Sequence, residues 1–251
     1  RNFFLNNEFS PFKTKKWRTI MAELNLIENV LEEIDTLKRS SAKTALLYQV
    51  LQEHSSAIPL SAMVVFMYTI LDSGNKFEEQ EVINFLEDLI RICYTYDLSQ
   101  DIKYKVFDIN ARIMNKRPLP LSTINISDDF FEERRRYRNG FVMLYHYLVE
   151  DKWKDSEIGS FLKVERIVRQ NDFSAHSDWP ADTIGQDIEN MANFSIIDFP
   201  KSYKSLFERS LLYNSSTLDS VSSILKGKTY YSYTDFNERK KNKQKTLYKF
   251  L

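Results

Sequence analysis

The chain has 251 residues, enough for one large core or two smaller ones, and its 43% hydrophobic content is ordinary for a globular protein. Only five Gly and six Pro occur, which argues for long helices and against a many-stranded sandwich. The single cysteine, Cys93, excludes an internal disulfide and fits a reducing, cytoplasmic setting, while the net charge of zero hides an uneven spread along the chain.

Residues 1–19 read as irregular, with Asn6, Asn7, Pro11 and a basic run from Lys13 to Arg18. From Ile20 to Leu37 the apolar residues Leu24, Ile27, Val30, Leu31, Ile34 and Leu37 recur at helical spacing. Ser40 or Ser41 can cap a second helix over about 43–54. Pro59 suits the first turn of an apolar helix over 59–71. The run from Ala57 to Leu71 is too short to span a bilayer comfortably and contains Pro59 and Ser61, so it reads as a buried core helix, and no membrane partner is expected. No leading basic-then-apolar stretch looks like a signal peptide. Glu78, Glu79 and Glu81 open the next helix, whose stripe is Val82, Phe85, Leu86, Leu89, Ile90 and Cys93. Ser99 caps another, running to about Met114.

Two prolines in 115–122 break the pattern. A helix is expected from Asp128 or Asp129 through the arginine cluster, ending at Asn139–Gly140 or continuing past it, and Phe141 to Val149 reads as buried. Beyond residue 150, Gly159, Pro180, Gly185 and Pro200 punctuate shorter segments. Residues 193–198 look strand-like, 201–213 helical, and Phe236–Leu251 is a basic helix. The expectation is a mainly α chain, with a helical, bundle-like domain over 1–155 and a smaller α+β domain over 156–251.

The order of elements and two motifs carry a resemblance. The apolar helix over 138–150 is followed by Val164, Glu165, Ile167, Val168 and Gln170, then by Met191, Asn193, Phe194, Ser195, Ile196 and Ile197. This resembles the C-terminal half of the GmrSD-type restriction endonucleases, in which a helical region precedes an HNH-like (ββα) nuclease domain. The resemblance implies a restriction or phage-defence role, DNA as partner, and Mg²⁺ or Mn²⁺ as cofactor if the site is active. It also implies a longer protein whose N-terminal nucleotide-hydrolysing domain would be a further partner, and nothing in 1–19 matches that domain's motif.

The family's general-base histidine falls on Arg166, its proline on Arg169 and a glycine on Ala192. Its later metal-ligating stretch has no convincing match in 198–210. An arginine cannot accept a proton near neutral pH, though it can bind phosphate. Arg166 therefore predicts a degenerate, non-cleaving derivative, with Arg166 and Asn193 at the former site. A second route to catalysis runs through His176, which with Asp172 and Asp178 can form a metal site or can be a solvated loop histidine. His146, between Tyr145 and Tyr147, reads as a satisfied structural histidine.

The charge is concentrated. Residues 21–100 carry a net −8, residues 1–20 a net +4 and residues 226–251 a net +6. The basic ends read as a surface for an acidic partner or as solvated helix ends. Arg134, Arg135, Arg138 and Arg169, with Lys240, Lys241 and Lys245, are the candidate nucleic-acid contacts. Arg134 and Arg138 are expected to share a helix face. Tyr230, Tyr231 and Tyr233 can stack on bases or pack inward. The competing reading is a helical protein-interaction or scaffold domain with no nucleic-acid role.

Overall fold

The computed structural model describes residues 16–54, 58–95, 102–121, 129–151, 153, 162–175, 178–197, 205–228 and 230–251. It is mainly helical, with one small two-stranded antiparallel sheet among the described residues. Helix α1 (Trp17–Ser40) begins earlier than its stripe suggests, and only the C-terminal part of that stripe, Val30, Ile34 and Leu37, is buried. Trp17 stays 70% exposed, and Met21, Leu24 and Leu31 are exposed with it. Ser41 caps α2 (Ala42–Gln52) by accepting from the Thr44 N–H.

Helix α3 (Ile58–Asp72) carries Pro59 in its first turn, where the missing N–H costs nothing. Helix α4 (Glu79–Thr95) has two acids in its first turn and buries the expected stripe. Helix α5 (Ile102–Met114) follows, and Ser99, its expected cap, lies outside the described residues. Helix α1 packs on α2 and α3, α3 on α5, and α2 on α4.

The arginine cluster does not form one continuous helix. A single turn, α6 (Phe130–Glu133), breaks at Arg134 into a 3-10 turn (Arg135–Tyr137), and α7 (Arg138–Val149) restarts beyond it. Helix α7 runs through Asn139 and Gly140, so that dipeptide does not end the helix. The reason is packing. A Cβ at Gly140 would stand 1.8 Å from the Tyr94 hydroxyl, which donates to Val50 O at 2.7 Å. Gly140 thus lets α7 close on α4 without displacing the tyrosine.

Strands β1 (Lys163–Arg166) and β2 (Phe194–Ile197) pair antiparallel, with Lys163 opposite Ile197 and Arg166 opposite Phe194. Between them lie a 3-10 stretch (Gln170–Ala175) and the single turn α8 (Ile184–Asp187). Helix α9 (Leu206–Asn214) opens on a reciprocal cap between Ser205 and Glu208. It is followed by α10 (Asp219–Ser222) and by α11 (Tyr233–Phe250), which opens on a like cap between Ser232 and Asp235.

Helix α7 joins the two parts of the chain, packing on α2 and also on β2 and α11. Among the described residues, the buried apolar side chains form one cluster that draws on both parts of the chain, from Val30 to Leu247. No described helix is long and apolar enough to cross a membrane.

Candidate functional site

The two strand ends nearest the motif residues are tied together by one side chain. Asn193 is fully buried in the 3-10 turn before β2. Its Oδ1 accepts from Val168 N–H at 2.9 Å, and its Nδ2 donates to Val168 O at 2.8 Å and Ile188 O at 3.0 Å. Its main-chain oxygen accepts from Ile167 N–H at 2.8 Å. A buried amide so used fixes the exit of β1 against the entry of β2.

That tie sets Arg166 at the open end of the sheet, 41% exposed, where it pairs with Glu189. Arg138, the first residue of α7, reaches the same carboxylate at 2.7 Å and the Glu189 main-chain oxygen at 3.2 Å. Its guanidinium lies 3.7 Å from the Phe194 ring centroid, and that of Arg166 lies 5.4 Å from it. Partial burial pushes the Glu189 carboxyl up, but the hydrogen bonds and charges of the two arginines outweigh this and hold it below the ordinary range.

The other expected site residues are engaged differently. Arg169, three residues past the end of β1, pairs with Glu165 on that strand at 3.2 Å. Asp172 takes Arg169 N–H and the Arg209 guanidinium, both at 2.7 Å. Arg209, which the sequence reading missed, also donates to Ile167 O at 3.0 Å, so α9 grips the turn after β1. Asp178 accepts from Tyr233 N–H at 2.8 Å at the start of α11. His176 lies outside the described residues. No group of three His, Cys, Asp or Glu suited to a metal occurs among the described residues.

Arg134 and Arg138 do not share a face, because the helix breaks between them. Arg134 turns back over Phe130 at 4.1 Å and pairs with Glu133 at 3.5 Å. Arg135 is exposed and lines a water-sized pocket of about 10 Å³ together with Arg138, Glu189 and Asn190. Tyr231 is buried, its carbonyl accepting from Trp179 Nε1 at 3.1 Å, so it cannot stack on a base. Tyr233 donates to Asp187 at 3.0 Å, and Tyr230 remains exposed.

The basic helix α11 has two unlike faces. Lys241, Lys245 and Lys249 are exposed at steps of four, and Lys240 is half-buried. Lys243 is instead fully buried, donating to Met191 O at 2.9 Å and Phe194 O at 2.7 Å. Burial and the Arg239 charge push its pKa well below the ordinary lysine value. It thereby secures the same turn that Asn193 organises. The signal for it was available, since Phe236, Lys243 and Leu247 fall on one face.

Beneath β2, His146 is fully buried, with Nδ1 2.9 Å from Ser220 Oγ and Nε2 3.1 Å from Ser195 Oγ. Burial, with the Arg239 and Lys243 charges, holds its pKa well below the usual imidazole range. The neutral ring therefore serves as a structural link between α7, β2 and α10, donating through one nitrogen and accepting through the other.

A scan against protein-family models, a search of curated proteins and a search of solved structures each return no match.

Proposed function

We propose that this chain is a nucleic-acid-directed module of restriction or phage-defence type, built on a degenerate HNH-like finger that binds phosphodiester without cutting it. In this reading β1, β2 and α9 are the ββα unit. One observation carries it: Arg166 ends β1 beside the Asn193 tie, with Arg138 reaching the same open edge from α7. Two guanidiniums at a partly exposed edge suit phosphate oxygens. The exposed lysines at 241, 245 and 249 offer a second, non-specific contact line.

The described residues do not fit a divalent metal at this edge. Arg166 is a cation, both polar atoms of the Asn193 amide are used, and Asp172 is neutralised by Arg209. The test is duplex-DNA binding across a salt series, with plasmid cleavage in Mg²⁺ or Mn²⁺ assayed in parallel for the parent and His176→Ala. Salt-dependent binding that falls about tenfold in Arg138→Ala/Arg166→Ala, without cleavage, is expected. Cleavage by the parent that His176→Ala abolishes would overturn the non-cleaving reading, and binding indifferent to the arginines would overturn the module itself.

A second reading, a helical protein-interaction domain, is favoured by the apolar residues that stand in solvent: Trp17, Leu24 and Leu31 on α1, and Tyr104 and Phe107 on α5. Absence of any DNA binding at low salt would favour it.

A further inference from the structure

We infer that Glu189 is a built-in competitor for nucleic acid, its carboxylate occupying the seat between Arg138 and Arg166 that a phosphodiester takes on binding. This rests on the nucleic-acid reading and adds a means of regulating it. The two carboxylate oxygens are divided between the arginines, Oε2 to Arg138 at 2.7 Å and Oε1 to Arg166. The two non-bridging oxygens of a phosphodiester present a like pair of acceptors to two guanidinium forks.

The seat is reachable. The Glu189 side chain is 37% exposed and that of Arg166 41%. The forks also have donors to spare. Arg138 uses Nη1 and Arg166 uses Nη2, and their other terminal nitrogens hold no protein acceptor among the described residues.

Displacing the carboxylate would not dismantle the seat. Arg138 keeps its bond to the Glu189 main-chain oxygen and its place over Phe194. Exposed Arg135 stands at the same pocket, ready to take up an incoming negative charge. One acid beside it, Glu132, is already engaged with Asn190 Nδ2. The lowered pKa of Glu189 agrees with a carboxylate that stays charged, and so stays competitive, at neutral pH. An ion pair this exposed is worth little by itself, which makes it replaceable by a polyanion.

The test is a thermodynamic cycle on the full chain, read by anisotropy of a labelled DNA duplex at low salt. Glu189→Gln keeps the shape and removes the charge. It should bind about threefold to tenfold more tightly than the parent. In the Arg138→Ala/Arg166→Ala background the same substitution should change nothing, because the seat is gone. An equal gain in both backgrounds would mean general charge repulsion and would overturn the inference, as would no gain in the parent. In either case DNA binding by the parent would leave the nucleic-acid reading standing. If neither the parent nor Glu189→Gln binds, both fall. Should the double arginine variant not fold, by its thermal transition, the more exposed Arg166→Ala alone replaces it as background, where a gain reduced below that of the parent is expected and an undiminished one overturns the inference.

Discussion

At position 140 the chain has room for a hydrogen and little more. Gly140→Ala forces a methyl into the Tyr94 hydroxyl, whose bond to Val50 O must then bend or break. Overpacking and a lost buried hydrogen bond together should cost about 2–5 kcal/mol in a denaturant melt. Tyr94→Phe should recover part of that loss in the Gly140→Ala chain and none in the parent. Asn193 is the second such position. Asn193→Ala leaves Val168 N–H, Val168 O and Ile188 O without that partner in a buried place. A loss of about 3 kcal/mol or more is expected, and Asn193→Asp should also fail, since it replaces two donated bonds with a charge. The resemblance singles out Asn193 as a residue of the former site, whereas the structural tie it makes and the partners it ties were not legible. They lie 25 and five residues away, and no local pattern announces a side chain that bonds main-chain groups. Glu189 was invisible for the same reason, because an acid in a polar stretch carries no periodic signal.

Elements with strong periodicity were the legible ones. Helices α2, α3 and α4 lie close to their expected bounds, because the Ser41 cap, Pro59 in a first turn and the Val82–Cys93 stripe act through neighbours in sequence. The arginine cluster was misread as one helix, since tertiary packing of Phe130, Phe131 and Tyr137 into the core overrides the local preference there. Lys240, Lys241 and Lys245 stand out in the basic C-terminal helix as candidate contacts and Lys243 does not, yet the turn of the helix sends Lys243 into the core while Lys241 and Lys245 stay exposed. Lys243→Met, which keeps the bulk and drops the donors, should destabilise the chain by about 1–3 kcal/mol, while Lys245→Met should stay within about 0.5 kcal/mol of the parent. Lys241→Glu/Lys245→Glu should do the reverse, leaving the melting transition in place and weakening DNA binding with a shallower salt dependence.

For the molecule as a whole, acid sensitivity follows from two buried imidazoles. Burial lowers His54 from 6.5 to about 4, and His146 is lowered as well. Between those values the unfolded chain holds protons that the folded chain refuses, so stability rises with pH across the window and falls as pH drops from about 6.5 towards 4. Denaturant midpoints measured above and inside the window should show this slope, and His54→Gln should flatten part of it. The continuous core also bears on how the chain divides. Helix α7 presents one side to α2 and another to β2 and α11, so each half supplies a wall of the other's interior. A piece comprising 156–251 alone would lack α7 and, by circular dichroism, should not fold cooperatively. Arg138 is the first residue of that shared helix, so the strand edge and the helical bundle are anchored on one element. The snug contact at Gly140, two residues beyond Arg138, fastens the start of that helix to Tyr94 of α4.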